Sequence, residues 1–158
     1  CPLGLIEGPV LSYASSASGD GGRTGLDMPF TMPFTFGLIG ATYPRLVMDV
    51  AGDSTVTPTI YFSGPVTDPE VRTDSGDAFK FKGLTLTAGE TVQADMASGA
   101  VRRGAAASNQ VTDDMAAYGA VDWAVSSYFE WQPGRHTLTF HNTTGTVTVQ
   151  YRERRLTI

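Results

Sequence analysis

The sequence predicts an all-β fold, an antiparallel β-sandwich, with an extended arm at its N-terminal end. From residue 43 onward, apolar and polar residues alternate with a period of two, as in Leu46, Met48 and Val50, which is typical of strands with one buried face. Glycine and proline are frequent, at 18 and 9 residues, and they separate short runs rich in threonine and other β-branched residues. Short strands separated by turns at this spacing indicate a sandwich or a barrel.

The composition excludes several classes of protein. The 158 residues fit one domain, and 41% hydrophobic against 17% charged residues is too apolar for a disordered chain. No apolar run approaches the ~20 residues needed to span a bilayer. A formal net charge of −5 argues against a nucleic-acid partner. The single cysteine, Cys1, excludes an intrachain disulfide and a cysteine-based zinc module, and a chain that starts there is expected to be a fragment or a processed product.

The predicted strands follow one another between turn signals. Residues 58–62 lead to Ser63-Gly64-Pro65, and the alternating segments 79–82 and 84–87 precede a turn at Ala88-Gly89. Residues 135–152 show the strongest alternation and are predicted to form a hairpin. Their inward face would carry Leu138, Phe140, Val147, Val149 and Tyr151. The alanine-rich residues 104–125 interrupt this pattern and predict an irregular connection with one helical turn.

The first forty residues are predicted to be a linker and an arm, apart from the sandwich of residues 41–158, and they could be the end of a preceding domain. Residues 12–25 are small, polar and glycine-rich, as in a flexible linker or an extended arm. Residues 28–37 contain a doubled Met-Pro-Phe-Thr, whose prolines oppose both a helix and a central strand. We expect this apolar arm to dock on a partner surface through Met28, Pro29, Phe30, Met32, Pro33, Phe34 and Phe36.

No motif in the sequence predicts catalysis, a metal or an organic cofactor. His136 and His141 are an odd number of residues apart, so in a regular strand they face opposite sides and cannot share a metal. No Gly-x-Ser-x-Gly elbow and no complete phosphate-binding loop occurs. A glycosidase would need two facing carboxylates, and the acidic residues beside strands are more often solvated or in turns: Asp49, Asp53, Asp95, Asp122 and Glu130. We therefore predict that the chain is not an enzyme.

Aromatic residues of the last third offer a different kind of site. Tyr118, Trp123, Tyr128 and Trp131 lie close in sequence, and aromatic faces are suited to stacking on sugar rings. Trp131 shares its strand face with Phe129 and is expected in the core. Trp123, in a loop-like stretch, is expected to be exposed, so Trp123 and Tyr118 are the candidate glycan-stacking residues.

The order of several segments resembles the C-terminal half of siphophage distal tail proteins and related phage minor tail proteins. The first two are the turn and strand of residues 53–64 (DSTVTPTIYFSG) and the short strand of residues 68–73 (DPEVRT). A Gly-Glu segment follows at residues 86–95 (LTAGETVQAD). A Pro-Gly hairpin at residues 127–140 (SYFEWQPGRHTLTF) and a closing Tyr-Arg strand at residues 147–152 (VTVQYR) complete the order. The resemblance extends over residues 29–158, with the doubled Met-Pro-Phe-Thr as the apolar lead-in.

The resemblance implies a galectin-like jelly-roll sandwich at the tail tip of a long-tailed phage. Its role would be structural, in hub or baseplate assembly or host attachment, with other tail proteins as partners and with copies of itself in a ring. The ring-forming N-terminal domain of that family would be absent or reduced to residues 1–25. Two other functions stay open, since a fold does not determine a function. One is a carbohydrate-binding module for cell-wall or surface glycans, and the less favoured one is a glycoside hydrolase.

Overall fold

The computed structural model describes residues 5–17, 43–105, 112–113, 115–141 and 145–156 of the chain. These residues form twelve strands and one short helix, and all strand pairs are antiparallel. The predicted all-β antiparallel fold is therefore confirmed. No helix in this described part of the chain is long and apolar enough to cross a membrane.

Two sheets form the layers of a sandwich. Within the described residues, the larger sheet has the order β1-β12-β3-β8-β9-β10 and the smaller one the order β2-β11-β5-β6. The strands of the larger sheet are β1 Leu5–Ala17, β3 Thr59–Ser63, β8 Glu90–Asp95, β9 Val101–Ala105, β10 Thr112–Asp113 and β12 Gly145–Leu156. Those of the smaller sheet are β2 Arg45–Val50, β5 Glu70–Thr73, β6 Ala78–Lys80 and β11 Gly134–His141. A small ribbon pairs β4 Val66–Thr67 with β7 Thr85–Leu86.

The inner faces of the two sheets share one hydrophobic core. Leu46 and Phe140 enter it from the smaller sheet, and Ile60, Val92 and Val149 enter it from the larger sheet. Each of these side chains is at most 1% exposed. The alternation visible in the sequence therefore predicted these inward side chains correctly, because successive side chains of a strand point to opposite sides. In β8 the other face is covered too, since Thr91 and Gln93 are each 7% exposed.

The predicted hairpin of residues 135–152 is wrong, although its inward face is right. Leu138 and Phe140 are fully buried and Tyr151 is 3% exposed, yet β11 and β12 do not pair with each other. β11 pairs with β2 and β5 in the smaller sheet, whereas β12 pairs with β1 and β3 in the larger one. The chain between them therefore passes from one layer of the sandwich to the other.

The predicted linker is wrong for residues 12–17, because they lie in β1. This strand pairs with β12 from Leu5↔Leu156 to Ala17↔Gly145, with a register shift between Glu7 and Val10. The division of the chain at residue 41 therefore does not separate β1 from the sandwich. Small polar residues suggested a linker, but backbone hydrogen bonds to β12 are available to any sequence. The apolar arm from Met28 to Phe36 lies outside the described residues and stays a prediction.

The connection between β9 and β11 contains one short helix, α1 Met115–Gly119, in agreement with the predicted single helical turn. Ala117 of α1 is 1% exposed and belongs to the core. After α1 the chain runs beside the edge strand β6. The backbone N–H of Asp122 donates to the carbonyl of Lys80 at 2.9 Å, and that of Ser127 donates to the carbonyl of Ala78 at 2.9 Å.

Two turns, at Gly52 and at Gly89, depend on their glycines in different ways. Gly52 has a φ of 115°, and a side chain there would collide with the carbonyl oxygen of Arg154, which accepts a 3.0 Å hydrogen bond from the N–H of Asp53. Gly89 has a φ of 86°, but a Cβ on it would meet nothing within 4 Å. Both turns therefore need a residue that adopts positive φ. Only the first also needs a residue without a side chain, because the backbone of Arg154 lies close to Gly52.

A glutamate side chain holds the turn around Gly89. Oε2 of Glu90 accepts hydrogen bonds from the N–H of Thr87 at 2.6 Å and from its hydroxyl at 2.7 Å. Oε1 of Glu90 lies 2.9 Å from Nη2 of Arg103 on β9. The Thr87 N–H first, then its hydroxyl and the Arg103 guanidinium, lower the pKa of Glu90 to about 2.

Candidate functional site: an exposed aromatic surface

Three exposed aromatic rings meet where α1 and the following segment lie against the smaller sheet. We call Tyr118, Trp123 and Tyr128 the aromatic surface; they are 38%, 44% and 38% exposed. The ring centroids of Tyr118 and Trp123 are 5.4 Å apart, and those of Trp123 and Tyr128 are 5.5 Å apart. The interplanar angles are 52° and 55°, so the rings are inclined to one another rather than coplanar.

A tight turn places Trp123 in the middle of this surface. The N–H groups of Val125 and Ser126 donate to the carbonyl of Asp122 at 3.1 and 2.9 Å. The carboxylate of Asp122 also accepts from the N–H of Ala124 at 3.3 Å. Because the same Asp122 is hydrogen-bonded to β6 through its own N–H, the turn that carries Trp123 is anchored to the smaller sheet.

Tyr128 is held in place from two sides. Its hydroxyl donates to the carbonyl of Gly99 at 2.8 Å, and its ring lies against Gly99, where a Cβ would be 3.3 Å from the ring. Below it lies the fully buried Phe79, with ring centroids 5.8 Å apart; the same phenylalanine lies 6.3 Å from Trp123. Burial first, and then the neighbouring Tyr118 phenol, raise the pKa of Tyr128. The ring of Tyr128 is thus fixed by a hydrogen bond at its hydroxyl and by packing against Phe79.

The structure brings together the two residues that the sequence proposed as stacking residues, Trp123 and Tyr118. Trp123 is exposed, as expected from its position in a loop, and Trp131 is 1% exposed, as expected from its strand face. Tyr128 was not among the proposed stacking residues, and the structure adds it. Its neighbour Phe129 faces the core at 6% exposed, and this alternation predicts that Tyr128 faces outward.

The two histidines lie in different surroundings. His136 stacks on Trp131 with ring centroids 5.6 Å apart, and its Nε2 lies 2.7 Å from the carbonyl oxygen of Gln132. The ring of His141 lies 3.9 Å from that of Tyr43, and burial is the first cause of its lowered pKa. Among the described residues no group of three or more histidine, cysteine, aspartate or glutamate side chains is arranged to hold a metal ion.

A polar groove of about 210 Å³ lies across β1, β12, β3 and β8. Its lining includes Asp95 together with Arg152 and Arg154. The Asp95 carboxylate accepts hydrogen bonds from the N–H of Ala97 at 2.9 Å and the hydroxyl of Ser98 at 2.6 Å. This side chain, one of the five carboxylates considered for acid–base work, therefore stabilises the turn after β8.

Comparison with known proteins gives a consistent result. Residues 51–154 match the sequence profile of the siphovirus-type tail component, C-terminal domain. Among solved structures, the fold is similar to that of SPP1 Dit (gp 19.1), described as a paradigm of the hub adsorption apparatus in phages that infect Gram-positive bacteria. The TM-score is 0.59 at 15% identity, and the likeness covers 95% of this chain but 48% of that one. The chain thus spans about half the length of that relative. No curated protein matches the sequence.

Proposed function

Because the chain belongs to the family of siphovirus-type tail components, we propose that it is a structural part of the phage tail tip, acting in hub or baseplate assembly or host attachment. The observation that carries this proposal is the match over residues 51–154, about two thirds of the chain. The matched segment begins directly after β2 and ends within β12, so it takes in strands of both sheets. The likeness therefore extends over most strands of the sandwich rather than over one motif.

Other tail proteins are the partners that this role requires. The similar fold of SPP1 Dit, a protein named for its place in a hub adsorption apparatus, supports a position at the hub for this chain as well. We further propose that several copies assemble in a ring and that the apolar arm of residues 28–36 docks on a neighbouring subunit. We also propose that the sandwich is galectin-like.

The role we propose is not catalytic. The family is one of tail components, and two of the five carboxylates considered for a glycosidase have other tasks in this fold. Asp95 stabilises a turn after β8, and Asp122 stabilises the turn that carries Trp123. A hydrolase would instead hold two carboxylates on opposite sides of the scissile bond.

Labelling of virions tests the proposal directly. An antibody against the chain, applied to the phage that encodes it, is expected to mark the end of the tail away from the head in negatively stained particles. Cross-linking of detached tail tips is expected to produce a ladder of multiples of the chain. Label on the head or along the whole tail would contradict the position, and a chain cross-linked only to other proteins would contradict the ring.

A further inference from the structure

We propose that the aromatic surface of Tyr118, Trp123 and Tyr128 binds a neutral sugar ring of a glycan. This inference goes beyond the structural role, because it assigns a ligand to a surface that tail assembly does not explain. Sugar rings have an apolar face of C–H groups and an edge of hydroxyl groups. An aromatic ring with one free face, supported by neighbouring polar atoms, is complementary to both.

The geometry of the three rings favours a small, rigid ligand. Their centroids are 5.4 and 5.5 Å apart, so the rings of Tyr118 and Tyr128 each pack against that of Trp123 and the three form one continuous patch, on which a single sugar ring can lie. Tyr128 is fixed by its hydrogen bond to Gly99, and Trp123 by the turn that begins at Asp122. Because these side chains are already ordered, binding costs little additional conformational entropy.

The size of the surface argues against a protein partner. A fully buried aromatic side chain covers about 150–250 Å², so three rings at about two-fifths exposure present roughly 200–300 Å² together. A stable protein–protein interface needs about 800 Å² from each partner. Even together with the exposed Met115 of α1 and Val125 of the same turn, the aromatic surface falls short of that area, whereas it is sufficient for one or two sugar units.

Charge favours a neutral ligand over an anionic one. The carboxylate of Asp122 directly precedes Trp123 in the turn, in a chain of net charge −5. A carboxylate has about four acceptor positions, so that of Asp122 can accept hydroxyl groups of a sugar in addition to the N–H of Ala124. Nucleic-acid bases also stack on aromatic rings, but their phosphates require a cationic groove. The negative groups of phosphorylated or sulfated glycans would be repelled by the carboxylate of Asp122.

Titration calorimetry with defined oligosaccharides tests the proposal. The probes are cellohexaose, chitohexaose and maltohexaose as neutral ligands, with a hyaluronan hexasaccharide as the anionic one. We expect at least one neutral probe to bind and the anionic probe to bind more weakly. Failure of all three neutral probes at millimolar concentration, or stronger binding of the hyaluronan probe, would overturn the proposal.

Substitutions locate the binding site. Trp123→Ala is expected to weaken binding of the neutral probe about tenfold, the equivalent of one lost stacking contact. Tyr118→Ala, at an exposed position of α1, is a second variant in case the first fails to fold. Tyr43→Ala is the matched control, because Tyr43 is 42% exposed but its ring lies against His141. Equal binding by both surface variants and the control would refute the assignment.

An assembly assay separates this proposal from the structural one. Phage that carries Trp123→Ala is expected to contain the usual amount of the chain in its tails while adsorbing less to glycan-coated beads. If the substitution instead reduces incorporation into tails, the surface is a protein interface and the sugar proposal is wrong. The structural role itself would be unaffected by either result.

Discussion

Truncation of Phe140 tests whether the apolar face of β11 stabilises the fold as its burial indicates. Phe140 is fully buried near the C-terminal end of β11, opposite Val71 of β5, and belongs to the core that both sheets share. In Phe140→Ala, loss of most of the burial of such a side chain costs about 1.5–3 kcal/mol. A residual cavity of about 80 Å³ adds about 2 kcal/mol at ~24 cal/mol per Å³. We therefore expect a destabilisation of about 3–5 kcal/mol.

The matched control is Thr139→Ala, one residue earlier on the opposite face. Thr139 is only partly buried, and it lies between Arg45 and Arg72 in the register of the smaller sheet. Its truncation should change the free energy of unfolding by less than about 1 kcal/mol. Urea denaturation measures both: with a slope of about 2 kcal/mol per M, Phe140→Ala should lower the midpoint by about 2 M. A larger loss for Thr139→Ala would refute the assignment of the inward face.

Two further predictions concern turns. In Glu90→Gln, the pH dependence of stability should become flatter in acid. Glu90 has a pKa of about 2 in the fold against an ordinary 4.5, so its contribution is complete above pH 4.5 and is lost as the pH falls toward 2. Urea unfolding from pH 2 to 6 measures this, and an unchanged slope would contradict it; Glu130→Gln, at an exposed glutamate, is the control. Gly52→Ala should lower the melting temperature more than Gly89→Ala, because both have positive φ but only the first meets backbone. Equal losses in melting temperature would contradict this prediction, because they would show that the positive φ alone, and not the contact with the Arg154 backbone, determines the effect.

The sequence predicted which side chains are buried much better than which strands are neighbours. Leu138, Phe140 and Tyr151 lie in the core as the alternation indicated, because the period of two belongs to each strand alone. Strand pairing, by contrast, is made by backbone N–H and C=O groups that are the same for nearly every residue. A hairpin between β11 and β12 was therefore as compatible with the pattern as the observed passage between sheets.

The Gly-Glu segment illustrates a motif whose reason becomes visible only in the fold. In the sequence, Gly89-Glu90 was one of several segments that resemble the tail-protein pattern. In the structure, Gly89 provides the positive φ of the turn, and the Glu90 carboxylate binds both the turn at Thr87 and Arg103 on the next strand. The resemblance thus rested on residues with a physical task in the sandwich.

By itself, the sequence determined the all-β class, the tail-component family and the exposure of Trp123, since these follow from local periodicity, motif order and a position outside the strands. Only the tertiary structure decided that residues 5–17 complete a sheet and that Tyr128 joins the aromatic surface. Both depend on partners far away in sequence: β12 for the first strand, and Gly99 for the Tyr128 hydroxyl. Such contacts form between segments that are far apart in sequence, so they cannot be predicted from a local pattern of residues.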